Sequence, residues 1–181
     1  MNDDDLTLIH EAQVACIKKA MPMLKQVDDY APELLEGKTA ITSPAVLLEA
    51  VQIKPGKKVS GGRLALTIEF AAHCILSMKT KKVQLEIRNL AARVLQVINE
   101  NRWGLDYAKH PTDLAAFPGM FSEKLGFESW VVSWEQEFHL GEVNLGEDWL
   151  PTQVYIGEAP NIGAAHKDDY TLTETEPSPS E

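Results

Sequence analysis

The sequence predicts an α+β domain in which a mostly antiparallel sheet of about four strands packs against two main helices. Three patterns support this prediction. Apolar and mixed residues alternate from Arg63 to Leu76, an apolar stripe with helical spacing runs from Val83 to Asn99, and a second alternation runs from Ser129 to Leu140. Alternation with a period of two residues is typical of a strand, and the 3.6-residue stripe is typical of a helix. An apolar but irregular segment after Gly141 adds an extended C-terminal arm.

The first predicted element is a helix that begins near Asp4 or Asp5, because a carboxylate there caps free amide groups and suits the positive end of the helix dipole. Its inward positions recur at helical spacing, and they are Leu6, Ile9, Gln13, Cys16, Ile17, Ala20 and Leu24. Pro22 ends or kinks this helix. A connector that contains proline and glycine then runs from about Asp28 to Pro44.

A predicted hairpin follows the connector. Ala45–Ile53 is rich in valine, leucine and isoleucine, which is typical of a largely buried strand. Lys54–Lys58 and Ser60–Gly62 have the composition of turns. We therefore expect Ala45–Ile53 to pair antiparallel with the long strand, whose apolar face consists of Leu64, Leu66, Ile68, Phe70, Ala72, Cys74 and Leu76.

The second helix and the last strand complete the predicted core. The helical stripe consists of Val83, Ile87, Leu90, Ala91, Val94 and Ile98. After an irregular stretch from Asn101 to Gly126, one face of the last strand presents Trp130, Val132, Trp134, Phe138 and Leu140. Gln136 interrupts that face. We expect the strand to join the same sheet and the helix to cover it.

These patterns divide the chain into a core domain at 1–141, an extended arm at 142–170 and a disordered tail at 171–181, which is rich in Thr, Ser, Pro and Glu. The arm is too apolar to be a free tail. Trp and Tyr contribute much of the binding energy at protein interfaces. The predicted subunit-interface residues are Trp149, Val154, Tyr155, Ile156, Pro160, Ile162 and Tyr170. Packing of the arm on its own domain remains the alternative.

The charge argues against specific nucleic-acid binding. The formal net charge is −10, from 27 acidic and 17 basic residues, whereas nucleic-acid binders need a basic footprint for phosphate contacts. The short basic run Lys79–Lys82 is interpreted as a solvated turn before a helix. An acidic surface instead suits a protein that lets DNA pass without retaining it.

No membrane or secretory role is expected. The N-terminus is acidic and lacks the apolar core of a signal peptide. No apolar run approaches the ~18 residues that span a bilayer. Cys16 and Cys74 lie on apolar faces and have no paired spacing, so buried free thiols in a reducing compartment are expected.

The sequence contains no recognisable catalytic or metal-binding motif, and we expect neither an enzyme nor a bound cofactor. None of the five histidines has a partner at metal-ligand spacing. His73 and His139 lie on the polar faces of strands that could bring them together across the sheet. Surface or structural histidines are the simpler interpretation.

Three glutamates support an alternative class, a small hydrolase or ligand-binding domain. Glu135 and Glu137 share one strand face, and Glu69 lies on the polar face of the long strand. A facing pair of carboxylates can perform acid–base chemistry. The sequence offers no nucleophile motif beside them, so a solvated or subunit-facing surface is favoured over this alternative.

The element order resembles that of the tail terminator proteins of bacteriophages, in particular the Mu-type family of contractile-tailed phages and phage-tail-like particles. Four stretches support the resemblance: Ser43–Leu48, Phe70–His73, Arg88–Val94 and Val154–Gly163. The similarity covers most of the chain in order and pattern. This family has no catalytic signature that the sequence could match.

The resemblance implies a structural virion protein at the head-proximal end of the tail, assembled in the host cytoplasm. Members form a homohexameric ring that caps the tail tube and sheath and joins the tail to the neck. Partners would be the tail tube, sheath and neck or connector proteins. A head–tail connector or neck protein is the alternative within the same structural class.

Overall fold

The structure is a computed structural model, and it describes residues 6–30, 40–59, 61–119, 126–142 and 153–173. The chain divides into two compact units, Met1–Glu142 and Val143–Glu181. None of the helices in the described ranges is long and apolar enough to cross a membrane.

The first unit contains two helices and one five-stranded sheet. In chain order its elements are α1 (Leu6–Ala20), β1 (Gln26–Asp29), β2 (Ala45–Pro55), β3 (Leu64–Ser77), α2 (Val83–Ile98), β4 (Thr112–Pro118) and β5 (Phe127–Leu140). The strand order is β1-β2-β3-β5-β4. β1 runs parallel to β2, and the other three pairings are antiparallel. The predicted α+β class with a mostly antiparallel sheet is therefore confirmed.

Two of the five strands were not predicted, and both lack a strong pattern. β1 has four residues, of which only Val27 is buried, and it spans the start of the predicted connector. β4 has a register irregularity between Thr112 and Ala115, and Asp113 has a positive φ of 52°. A bulge of this kind breaks the alternation that identifies a strand.

The main core lies between one face of the sheet and the two helices. The predicted stripe of α2 is buried at Ile87, Leu90, Ala91, Val94 and Ile98, and Val83 packs against it. The opposing sheet residues include Val46, Leu48, Ile68, Phe70, Ala72, Cys74, Val132, Trp134 and Phe138. The large aromatic rings are in direct contact, because the Phe70 ring stacks on Trp134 with centroids 5.2 Å apart.

Gln136 interrupts the apolar face of β5 because it fastens a loop to the sheet. Its Oε1 accepts a 2.7 Å hydrogen bond from Trp103 Nε1, and its Nε2 donates to the carbonyl oxygens of Asn101 (3.0 Å) and Lys109 (2.6 Å). The side chain is 1% exposed. A buried amide is tolerated when it is hydrogen-bonded in this way.

The first helix ends at Ala20, before Pro22, which decides between the predicted end and the predicted kink. The prediction of its inward positions was wrong at Leu24, which lies beyond the helix, and at Leu6 and Ala20, which are exposed. Its predicted capping residues, Asp4 and Asp5, lie outside the described residues. Ile9, Gln13 and Ile17 form its buried face. The predicted interpretation of Lys79–Lys82 as a turn is confirmed, and Lys82 ends that turn with a positive φ of 56°.

The second unit is more regular than the extended arm that the sequence predicts. β6 (Val154–Ile156) pairs antiparallel with β7 (Thr171–Thr173), and a 3₁₀ helix spans Ala164–Asp169. β7 falls in the segment predicted as a disordered tail, because Thr171-Leu172-Thr173 has strand-forming residues that the bulk composition of the tail conceals. Residues 174–181 lie outside the described part of the chain.

Candidate functional site

Most of the predicted interface residues present apolar surface on the second unit. Val154, Tyr155, Ile156 and Ile162 are 38, 54, 57 and 57% exposed. Pro160 is also exposed. Trp149 lies outside the described residues.

Both faces of the β6–β7 ribbon carry large apolar side chains. Tyr155 lies opposite Leu172, whereas Val154 and Ile156 project to the other face. Leu172 is 45% exposed and belongs to this surface, although the sequence analysis assigned it to the tail. A two-stranded ribbon is at best marginally stable in water. No residue between 153 and 173 is buried, so this ribbon has no core of its own.

Tyr170 has a different role from the other predicted interface residues, because it packs within its own unit. Its hydroxyl oxygen accepts a 2.7 Å hydrogen bond from the Gly163 amide. A Cβ atom on Gly157 would clash with the Tyr170 ring carbon Cε1. The ring therefore sits directly on Gly157, which only a residue without a side chain permits.

The three glutamates of the alternative hydrolase class lie on the sheet face opposite the helices, where two of them face a lysine. Glu69 pairs directly with Glu135 across β3 and β5. Lys54 Nζ lies 3.1 Å from Glu135 Oε1 and 4.0 Å from Glu69 Oε2. The ammonium group offsets the repulsion between the two carboxylates and accounts for their placement without a catalytic role.

The two candidate histidines each bind a nearby glutamate. His73 Nε2 lies 2.8 Å from Glu49 Oε2, and His139 Nε2 lies 2.7 Å from Glu137 Oε1. The expectation that His73 and His139 could approach each other is wrong. His73 pairs with Val131 and His139 pairs with Ala65, which is a separation of about 26 Å along the strands at roughly 3.3 Å per residue.

His73 also anchors the end of β1. The Tyr30 ring stacks on the His73 ring with centroids 4.2 Å apart and planes inclined by 15°. Burial raises the pKa of the Tyr30 hydroxyl, and the carboxylate of Glu49 raises it further. This cluster covers one end of the outer face, beside the small apolar cluster of Ala45, Leu47 and Ile75.

Within the described ranges, no group of three or more His, Cys, Asp or Glu side chains is placed to hold a metal ion. Cys16 and Cys74 are free thiols, and burial raises the pKa of Cys74 to about 12. A thiol with that pKa is protonated near neutral pH and is a poor nucleophile.

The candidate site is therefore the exposed apolar surface of the second unit, which we call the ribbon surface and define as Val154, Tyr155, Ile156, Ile162 and Leu172. Its residue types suit protein contact. In comparisons with known proteins, the chain matches no protein-family model and no curated protein.

Proposed function

We propose that this chain is a structural subunit that assembles with copies of itself into the ring of a phage tail terminator. The observation that carries the proposal is the ribbon surface, where three consecutive apolar residues, Val154–Ile156, are exposed on a unit without buried residues in 153–173. Exposed apolar groups of this kind mark protein contacts. Coverage by a neighbouring copy would remove them from water.

The acidic charge and the resemblance extend the proposal from self-assembly to a tail terminator. A closed ring needs a heterologous interface, in which two different surfaces of the same chain meet. A formal charge of −10 per copy favours a lumen that repels the DNA backbone. The ring would cap the tail tube and sheath, and it would present its other face to the neck.

The first test is the mass of the full chain in solution. We expect a hexamer by sedimentation equilibrium or native mass spectrometry. Ile156→Asp places a charge on the ribbon surface and should shift the population towards monomer. Asn161→Asp adds the same charge at an exposed position of the same unit outside the ribbon surface and should leave the hexamer intact.

The second test identifies the neighbours of the ring. The purified full chain should bind assembled tail tube and sheath, and Ile156→Asp should lose this binding together with the ring. Binding to a capsid portal but not to tails would favour the head–tail connector. A chain that stays monomeric at high concentration and binds no tail component would overturn the proposal.

A further inference from the structure

A cleft in the first unit has no role in the proposed ring. It lies between α1 and the β1–β2 side of the sheet and has a volume of about 340 Å³. Leu6, Ile9 and Gln13 line it from the helix, and Leu48, Ala50 and Phe70 line it from the sheet. This volume falls in the range of known ligand sites, which are also mostly apolar with a few polar groups.

Gln13 lines this cleft and has a buried polar atom without a partner. Its side chain is 1% exposed, and its Nε2 has no hydrogen-bond partner. A buried amide nitrogen without an acceptor destabilises the fold, because it loses its hydrogen bonds to water. Nε2 is enclosed in the free chain, so a ligand would reach it only after the Gln13 side chain rotates towards the cleft. A carbonyl oxygen that accepts from Nε2 there would remove this penalty.

The wall of the cleft continues into an open strand edge. β1 pairs only with Ala45–Leu48, and the Tyr30 amide donates to the Leu48 carbonyl oxygen at 2.8 Å. Along Glu49–Pro55, β2 has β3 on one side and, among the described strands, none on the other. Val51 and Ile53 on this edge are 51 and 47% exposed.

The charges at the start of this edge are mainly acidic. Asp29 lines the cleft, and Asp28 precedes it at the end of β1. Glu49 begins the open edge, with its carboxylate bound to His73. His10 also lines the cleft. Acidic groups in this position favour a partner that carries lysine or arginine.

We propose that the cleft and the open edge of β2 together bind an extended peptide segment of another protein, with alternating apolar residues and a basic flank. The peptide main chain would continue the sheet at the point where β1 ends. One apolar side chain would enter the cleft, and a peptide carbonyl oxygen would accept from Gln13 Nε2. Strand addition of this kind combines main-chain hydrogen bonds with side-chain pockets.

Three observations favour a peptide over a free small molecule: the site has an edge that needs main-chain partners, a pocket beside it, and one buried donor that suits an amide carbonyl. The proposal goes beyond the ring, and it stands or falls independently of it. It uses only residues of the first unit, whereas the ring proposal uses the ribbon surface.

The test selects binders for the full chain from a random library of blocked heptapeptides, with a counter-selection against Ala50→Trp. Ala50 is exposed and lines the cleft, so a tryptophan there fills the cleft without disturbing the core. Selected peptides should alternate apolar residues and carry lysine or arginine. In titrations of the ¹⁵N-labelled chain, they should shift the backbone amide signals of Glu49–Ile53 and the side-chain amide signal of Gln13.

Gln13→Met removes the buried donor and keeps an unbranched side chain, so it should weaken the selected peptides about tenfold. The same change should raise the melting temperature, because it removes an unpaired polar group from the interior. Gain of stability with loss of binding is the signature that a merely structural glutamine would not produce. Two control variants, Gln96→Leu and Ala92→Trp, change exposed positions of α2. Both should bind the selected peptides with the affinity of the wild type.

Three results would overturn the proposal. The first is a library that yields no binder, or only acidic peptides. The second is a set of binders that tolerate Gln13→Met and Ala50→Trp. The third is self-association that Ala50→Trp abolishes while Ile156→Asp does not, since a second copy would then be the occupant of this edge.

Discussion

The two units of this chain differ in how far they bury their apolar residues. In the first unit, Trp134 and Phe138 are at most 1% exposed and belong to the core that the sheet forms with the two helices. In the second unit, Tyr155 and Ile156 are more than half exposed, and no residue in 153–173 is buried. The first unit has a core that accounts for its stability, and the second has only a ribbon, a short 3₁₀ helix and local contacts.

This difference shows that apolar content alone does not measure how much core a segment has. A strand of the first unit gains free energy from burial of about 1.5–3 kcal/mol for each large side chain. The exposed side chains of β6 gain little of this until a partner covers them. In the proposed ring, a neighbouring copy would supply the burial that the second unit lacks.

The largest expected contrast is between Trp134→Ala and Tyr155→Ala. Trp134→Ala removes a buried ring that stacks on Phe70, and it should lower the free energy of unfolding by about 3–5 kcal/mol. Tyr155→Ala should change the free energy of unfolding of the dilute, dissociated chain by less than about 0.5 kcal/mol. Urea unfolding followed by circular dichroism measures both, and equal losses would contradict the comparison.

The next largest effect is expected at Gln136. Gln136→Leu leaves Trp103 Nε1 and the carbonyl groups of Asn101 and Lys109 without their partner, so we expect a loss of about 2–3 kcal/mol. The exposed Gln96→Leu should change the unfolding free energy by less than about 0.5 kcal/mol. If the two variants unfold at the same urea concentration, Gln136 does not fasten the loop.

Alkaline titration sharpens the comparison through Cys74, whose pKa is raised by burial from 9.0 to about 12. The folded thiol keeps its proton at pH values where the unfolded thiol has lost it. Stability from this group is therefore present below pH 9 and falls above it, at about 1.4 kcal/mol per pH unit. Relative to the Cys74→Ala variant, wild type should lose this additional stability between pH 9 and 11. If the unfolding free energies of wild type and Cys74→Ala change in parallel with pH, the raised pKa of Cys74 is contradicted.

The smallest effect is expected at the ion pairs on the outer sheet face. The Lys54 side chain is 43% exposed and contacts Glu69 and Glu135. Pairs of this exposure contribute at most about 1 kcal/mol, and salt screens them. Lys54→Met should therefore lower the unfolding free energy by less than about 1 kcal/mol, and the difference should vanish in 1 M NaCl. A larger loss that survives salt would mean that this face is as tightly packed as the helix-covered face.

The predictions from the sequence were correct where a single element carries a complete pattern. The stripe of α2 and the alternation of β3 and β5 are visible because each of these elements is long and has one apolar face. β1 and β4 were missed, since a four-residue strand and a bulged edge strand leave too little alternation to identify.

The candidate site was only partly predictable for a similar reason. The exposed Tyr155 and Ile156 follow from their place in an irregular apolar segment, but the packing of Tyr170 on Gly157 depends on the fold of that segment. The distance between His73 and His139 depends on strand register, which neither strand specifies alone.

The three hydrogen bonds of Gln136 have a consequence for how the chain finds its alignment. β3 and β5 each have fourteen residues, and their apolar faces would still match after a slip of two positions. Such a slip would carry the Gln136 amide away from the loop and bring the aromatic ring of Trp134 or Phe138 to the loop carbonyl groups. Gln136 therefore helps to select one register of β3 and β5, because only that register keeps its amide hydrogen-bonded to the loop.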